Sequence, residues 1–146
     1  PNGPKVIEYN CRFGDPETQV VLPLLESDLL TIMIATTNGT LADTEVKFAD
    51  KHACCVILAS NGYPTAYKKG FEMSFTEESL AATFVAGAKM ENGKLVTSGG
   101  RVTGTTAVAN SLSEAIKEAY RLSDGVKFEG AYRRTDIGKK ALQALN

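Results

Sequence analysis

The stretch ACCVILAS, residues 53–60, is apolar at nearly every position. A run of this length without polar alternation is typical of a strand that is covered on both faces. It ends at Asn61-Gly62-Tyr63-Pro64, a sequence typical of a turn. We therefore expect residues 53–60 to form the central strand of a sheet, with the rest of the fold arranged around it.

Downstream of this strand, the pattern predicts a small α+β unit rich in strands. The expected strands are residues 82–89, 94–97, 101–109 and 126–128. Asn92-Gly93 predicts a hairpin between the first two of them. A helix is expected to begin at Ser111 or Ser113, and a final helix is expected over residues 138–145.

Upstream, residues 5–13 alternate between apolar and polar side chains. This period predicts a half-buried strand with one polar face. Its apolar face would carry Ile7, Tyr9, Cys11 and Phe13. Residues 47–49 are expected to form a second, shorter strand.

Between these two strands the sequence predicts two helices. Asp15 is a suitable N-cap and Pro16 a suitable first helical residue, so a helix should begin there and be kinked or ended near Pro23. Ser27 is expected to cap a second helix that stops at Asn38-Gly39.

Composition excludes several classes of protein. With 146 residues, 43% of them hydrophobic, the chain can form one or two small domains. The 16 Lys and Arg are balanced by 17 Asp and Glu, which argues against a nucleic-acid-binding surface. No run is long enough for a membrane span, and there is no signal peptide. Because the sequence opens at Pro1 rather than Met, we interpret it as part of a longer chain.

The cysteines do not indicate a metal site or a disulfide framework. Cys11, Cys54 and Cys55 are too few and wrongly spaced for either. We expect small buried thiols in a reducing cytoplasm and no disulfides. The single His52 is expected to be structural.

The polar face of residues 5–13 is where chemistry is expected. Glu8, Asn10 and Arg12 alternate along it and should project to one side. A carboxylate beside an amide oxygen suits Mg²⁺ or Mn²⁺, and a guanidinium can bind a phosphate or carboxylate through two hydrogen bonds. A helix beginning near Pro16 would direct backbone N–H groups to the same region. Such a pattern also occurs on ordinary solvated strands, so it does not by itself name a reaction.

The segment PKVIEYNCRFGDPETQ, residues 4–19, resembles a motif of the glycinamide ribonucleotide synthetases, which belong to the ATP-grasp superfamily. Further segments resemble this family in order: ASNGYP (59–64), VAGA (85–88), NGKLVTSGGRV (92–102) and FEGAYRRTDIG (128–138). The resemblance spans the whole chain but only the C-terminal part of such an enzyme. It is nearest to the eukaryotic form, in which this activity heads a multifunctional purine-synthesis polypeptide.

The resemblance implies an architecture and a reaction. Residues 1–40 would be the terminal strand and helices of an ATP-grasp domain, and residues 41–146 a small mixed β-sheet or barrel-like C-terminal domain with flanking helices. The family reaction joins glycine to 5-phosphoribosylamine through glycyl phosphate, with ATP as co-substrate. The glycine-rich phosphate loop, the lysines and the adenine pocket would lie upstream, so we expect the isolated chain to be inactive.

The resemblance also implies roles for individual residues. Glu8 and Asn10 match the ligands of Mg²⁺ or Mn²⁺, and Arg12 matches a catalytic residue that orients an anionic reactant. The residues that match substrate-binding positions are Arg12, Asp15, Pro16, Glu17, Arg101 and Arg134. For the last two, ordinary salt bridges are the alternative, and the spacing around Tyr132-Arg133-Arg134-Thr135 departs somewhat from the family pattern.

Two other functions stay open. The chain could be a non-catalytic docking or regulatory module, since its site is incomplete. It could also be the C-terminal domain of a carboxylase-type ATP-grasp enzyme. Neither alternative involves nucleic acid or a membrane.

Overall fold

A computed structural model describes residues 3–144. Its helices are α1 (Thr18–Val21), α2 (Leu29–Asn38), α3 (Glu77–Ala81), α4 (Leu112–Ser123) and α5 (Lys139–Ala144). Its strands are β1 (His52–Ser60), β2 (Ser74–Phe75), β3 (Thr83–Val85), β4 (Ala88–Glu91), β5 (Lys94–Thr97), β6 (Arg101–Ala109), β7 (Val126–Lys127) and β8 (Ala131–Tyr132). Short 3-10 turns lie at Leu22–Leu24 and Leu41–Asp43.

The main sheet has four antiparallel strands in the order β3-β6-β1-β8. β1 pairs with β6 from His52 opposite Ala109 to Ala59 opposite Arg101. The prediction that residues 53–60 form a central strand is confirmed. β2 pairs with β7 and β4 pairs with β5, as two separate two-stranded sheets.

The expectation of a barrel-like domain is wrong, although the α+β class is confirmed. The outer strands of the main sheet, β3 and β8, are only 3 and 2 residues long. They pair with β6 and β1 respectively and not with each other, so no continuous ladder closes the sheet.

Helix α4 covers one face of the main sheet. Ala115 and Ala119 of α4 are fully buried, as are Val56 of β1 and Val102 of β6. Burying a valine side chain stabilises a fold by about 1.5–3 kcal/mol. On β1, alternate residues point to α4, while Ala53, Cys55 and Ile57 on the other face are only partly buried. That second face is therefore the one left to form a site.

The predicted strand at residues 5–13 is wrong. This segment is extended, but it forms no ladder with any residue in the described range. Its apolar side chains are exposed to solvent: Ile7 is 98% and Tyr9 is 83% exposed. An alternating pattern becomes a strand only beside another strand edge, and residues 3–144 place none there.

The start of the first helix also differs from the prediction. α1 begins at Thr18, whose N–H donates to the carbonyl of Gly14 at 2.9 Å, and Glu17 occupies the N-cap without a side-chain bond. Asp15 does not cap this helix because its carboxylate is bonded to other side chains, described below. With four residues and its first N–H already bonded, α1 does not supply the predicted anion site. The predicted break is confirmed, because Pro23 lies in a 3-10 turn.

The remaining elements follow the prediction with small corrections. α2 is capped by Asp28 rather than Ser27, through a bond from Thr31 N of 2.7 Å, and ends at Gly39 with φ of 72°. Residues 47–49 form only an isolated bridge between Phe48 and Leu25. The predicted strand at 82–89 divides into β3 and β4. β2, α3 and β8 were not predicted. The last residue of the predicted final helix, Leu145, lies outside the described range.

Candidate functional site

Six of the predicted site residues lie around one open cavity of about 370 Å³, which we call cavity I. They are Glu8, Asn10, Arg12, Asp15, Glu17 and Arg101. The first five come from the extended segment and the loop after it, and Arg101 is the first residue of β6. The structure therefore brings together residues more than eighty positions apart in the sequence.

Glu8 and Asn10 are in direct contact. The Asn10 Nδ2 donates to Glu8 Oε1 at 3.0 Å. Neighbouring ligands of an octahedral Mg²⁺, bound at about 2.1 Å, stand about 3.0 Å apart. A half-turn of the amide exchanges its nitrogen and oxygen, so the pair can present two oxygens at that spacing. This donor set fits a hard divalent cation.

The chain does not offer a complete metal shell. Among residues 3–144, no three His, Cys, Asp or Glu side chains are close enough together to hold an ion. A cation held by Glu8 and Asn10 therefore needs further ligands from water or from the phosphates of a substrate. Mg²⁺ is commonly bound in this way, through one or two carboxylates and substrate phosphates.

Asp15 connects the N-terminal segment to β6. Its Oδ2 accepts from a terminal nitrogen of Arg101 at 3.0 Å, and its Oδ1 accepts from Gln19 Nε2 at 2.8 Å. Both partners of the ion pair are about half exposed, so it adds little stability. Its effect is to fix the guanidinium of Arg101 at the rim of cavity I. Gln19, four residues after Asp15, was not predicted to take part.

Close packing at Gly87 and Gly100 positions the backbone of Arg101. A Cβ added to Gly87 would lie 2.4 Å from the Arg101 carbonyl oxygen, and one added to Gly100 would lie 2.1 Å from the ring of Tyr63. Neither separation is possible for real atoms. The sequence indicated Gly99-Gly100 only as a break in the chain. The structure shows that glycine is needed there for the start of β6 to pack against Gly87 and Tyr63.

A second cavity of about 440 Å³, cavity II, lies on the face of β1 opposite α4. Its lining residues are Pro16, Cys55, Ile57, Ala59, Tyr63, Arg101, Tyr132, Arg133, Arg134 and Ile137. Arg101 lines both cavities, which therefore adjoin. Pro16 and Arg134, the two predicted site residues absent from cavity I, lie here. Tyr63, expected only to shape a turn, also lines this cavity.

The two neighbouring arginines of cavity II have different environments. Arg133 is only 26% exposed, and it is bonded to the carbonyl of Tyr120, to Ser123 Oγ and to Asp124. Arg134 is 68% exposed and forms a two-point ion pair with Asp136 at 2.8 and 2.7 Å. This hydrogen-bonded pair raises the pKa of Arg134 and lowers that of Asp136. Arg133 is anchored in the fold, whereas Arg134 can exchange an exposed partner for an anionic ligand.

The family described as "Phosphoribosylglycinamide synthetase, C domain" matches residues 53–140, more than half of the chain. The chain belongs to this family. A phosphoribosylamine–glycine ligase of Caldanaerobacter subterraneus subsp. tengcongensis is 52% identical over 136 residues, which cover 92% of the chain and 33% of that protein. The bifunctional purine biosynthetic protein PUR2,5 of Pichia angusta is 50% identical over 147 residues, covering 98% of the chain and 19% of that protein.

A solved structure shows the same fold. The crystal structure of a phosphoribosylamine–glycine ligase from Thermotoga maritima matches with a TM-score of 0.73 and 37% identity, over 90% of the chain and 33% of that protein. The relatives thus include proteins named as a phosphoribosylamine–glycine ligase and as a bifunctional purine biosynthetic protein. The chain spans about a third or less of the length of these relatives. No helix within residues 3–144 is long and apolar enough to cross a membrane.

Proposed function

We propose that the chain is the C-terminal part of an ATP-dependent carboxylate–amine ligase that joins glycine to 5-phosphoribosylamine in purine biosynthesis. The observation that carries this proposal is cavity I, where three carboxylates, an amide and two guanidinium groups share one opening. Family membership and the names of the relatives support the same reaction. Upstream domains would supply the ATP phosphate loop and the adenine pocket, and purine biosynthesis favours a cytoplasmic location.

The proposed reaction has two steps. A carboxylate oxygen of glycine attacks the γ-phosphorus of ATP, the bond to the β-phosphate oxygen breaks, and ADP leaves. The amine of phosphoribosylamine then attacks the carbonyl carbon of glycyl phosphate, inorganic phosphate leaves, and the nitrogen loses a proton. In the first step two anions must approach each other, so the site has to offset negative charge.

Glu8 and Asn10 are the residues that would hold Mg²⁺ or Mn²⁺. When bound, the ion neutralises charge on the phosphate oxygens and helps to align them. Arg12 lies beside the pair in cavity I and would orient an anionic reactant. Asp15 and Glu17 would stand beside the acceptor substrate, with the carboxylate of Asp15 acting mainly by holding Arg101.

Cavity II would receive the phosphorylated sugar. Arg101, Arg133 and Arg134 line it together with Pro16 and one face of β1, so the cavity combines cationic and apolar groups. A guanidinium is suited to a phosphate because it donates two parallel hydrogen bonds. On this proposal, residues 1–40 complete the ATP-grasp domain and residues 41–146 form the C-terminal domain, a division consistent with a family match that begins at residue 53.

The test uses the chain within a ligase of full length. ADP release should require both glycine and phosphoribosylamine, and Glu8→Ala should lower it by at least 100-fold. Lys51→Ala, on the surface before β1, is the matched control and should retain activity. The 146-residue chain alone should show no turnover. If Glu8→Ala leaves activity unchanged, the chain is a docking module. If bicarbonate replaces glycine, the enzyme is of the carboxylase type.

A further inference from the structure

The hydroxyl of Tyr120 on α4 holds a turn from both ends. It donates to the carbonyl of Arg134 at 2.8 Å and accepts from the N–H of Ile137 at 3.0 Å. These two bonds close residues 134–137 against the helix. The turn contains Arg134, whose side chain lines cavity II, and ends at Ile137, which lines it as well.

Other contacts of α4 support the same turn. Ile116, one helical turn before Tyr120, packs so closely on Gly138 that a Cβ there would lie 2.4 Å from Ile116 Cδ1. Arg133 lies over the ring of Tyr120, with 5.1 Å from its guanidinium carbon to the ring centroid. The segment is thus held from one side by a helix whose buried face is fixed in the core through Ala115 and Ala119.

These contacts separate the tasks of the two arginines. The side chain of Arg133 holds the segment to α4 through its hydrogen bonds, so this guanidinium is not available to a ligand. The backbone of Arg134 is fixed by Tyr120. Within residues 3–144, its guanidinium is paired with one exposed side chain, Asp136. A long side chain whose backbone is already fixed binds a phosphate at a smaller entropic cost than one whose backbone must be ordered on binding.

We infer that Tyr120 is a positioning residue: its hydroxyl sets the place of Arg134 in cavity II and so the affinity for the phosphorylated sugar. This inference rests on the proposed function, in which cavity II binds 5-phosphoribosylamine. Tyr120 is not among the residues that line cavity II. It acts through the backbone of the turn, and its effect should therefore appear only for the substrate that Arg134 contacts.

Tyr120→Phe tests the inference in the full-length ligase, because it removes both hydrogen bonds and keeps the ring under Arg133. The KM for phosphoribosylamine should rise about tenfold, the factor that corresponds to about 1.4 kcal/mol. The KM values for glycine and ATP should stay within about twofold. Tyr67→Phe is the matched control, since within the described residues its hydroxyl has no hydrogen bond. An equal change in all three KM values, or in kcat alone, would show a merely structural role and overturn the inference.

A double-mutant cycle with Arg134→Ala separates the inference from the proposed function. If Tyr120 acts through Arg134, Tyr120→Phe should have no further effect on the KM for phosphoribosylamine once Arg134 is alanine. Additive effects overturn the inference alone, as does an effect of Arg134→Ala without one of Tyr120→Phe. If Arg134→Ala changes no KM, the assignment of cavity II in the proposed function fails first. Thermal unfolding of each variant confirms that the assays compare folded proteins.

Discussion

Cys54 and Cys55 are neighbours in the sequence but lie in different environments. Cys54 is 6% exposed in the core beneath α4, whereas Cys55 lines cavity II. Alternation along a strand accounts for this difference, because successive side chains point to opposite faces. Cys11, on the extended segment, is exposed. The expectation of buried thiols holds for Cys54 and in part for Cys55. It is wrong for Cys11, because the burial of Cys11 depended on the strand that does not form.

Burial makes stability depend on pH at Cys54. Removal from water raises the pKa of the Cys54 thiol from 9.0 to about 11. The folded state thus favours the protonated thiol. The contribution of this group to the free energy of unfolding is fully present below about pH 9. It is lost as the pH rises from about 9 to about 11, because the thiol ionises more readily in the unfolded chain. The loss is on the order of 2–3 kcal/mol. Urea unfolding between pH 8 and 11 should show a steeper decline for the natural chain than for Cys54→Ala.

Other groups titrate in the same range, so the comparison of variants carries this test. Cys11→Ala, which removes an exposed thiol outside the core, is the matched control. Equal slopes for the natural chain and Cys54→Ala would show that the thiol of Cys54 ionises as easily in the folded state as in the unfolded state.

At the scale of elements, α4 is the helix whose start the sequence left open between two serines. In the structure Ser111 is the N-cap, and its side chain accepts from the N–H of Glu114. Ser113 lies inside the first turn and is exposed. Ser111→Ala should therefore lower the free energy of unfolding by about 1 kcal/mol. Ser113→Ala should change it by less than about 0.5 kcal/mol, because alanine is the better helix former.

Urea unfolding of both variants at neutral pH measures this difference. The two substitutions are chemically identical and two positions apart, so a difference between them isolates the cap. If Ser113→Ala were the more destabilising, the helix would begin two residues later than in the structure.

Elements whose determinants are local could be predicted from the sequence. β1, β6 and α4 each have a long hydrophobic pattern, and the side chains of that pattern pack against the neighbouring elements of the fold. The short strands β2 and β8 could not be predicted, because two residues carry no period. Residues 5–13 have the alternation of a strand without a partner strand among the described residues. Pattern alone cannot supply that partner.

Asp15 shows the same limit within the site. As a residue before a proline and a helix it had the local marks of an N-cap, but its carboxylate is bonded to Arg101, 86 positions away. The sequence indicated both residues as site candidates and gave no sign that they meet. Tyr120 could not be found by motif at all, because its role depends on the contact of α4 with residues 134–137. Long-range pairings of this kind decide the geometry of the site.

At the scale of the whole molecule, the site is assembled from segments that belong to different elements and lie far apart in the sequence. Cavity I joins the extended N-terminal segment to the start of β6, and cavity II joins β1 to the turn held by α4. Arg101, common to both, connects the proposed metal end to the proposed sugar end. A change at one end can therefore be distinguished from a change at the other by which substrate or ion it affects.

At the proposed metal end, two substitutions of Asn10 in the full-length ligase test whether its amide binds the ion. Asn10→Leu removes an oxygen donor at nearly constant size, whereas Asn10→Asp keeps an oxygen and adds charge. The Mg²⁺ concentration for half-maximal ADP release should rise at least tenfold in the leucine variant. Mg²⁺ is commonly held by only one or two protein ligands, so the loss of one of the two weakens binding. In the aspartate variant it should stay the same or fall, because a carboxylate attracts the cation more strongly.

Binding of Mn²⁺, followed by electron paramagnetic resonance in the presence of ATP, reports the same loss without turnover. Asn110→Leu, in the loop after β6, is the matched control and should bind the ion as the natural protein does. If Asn10→Leu and the control bind Mn²⁺ equally, the amide is not a ligand, and its bond to Glu8 only orders the extended segment. If Asn10→Leu loses the ion and retains the KM for phosphoribosylamine, the two ends of the site act separately, as expected for two cavities that share Arg101 in their linings.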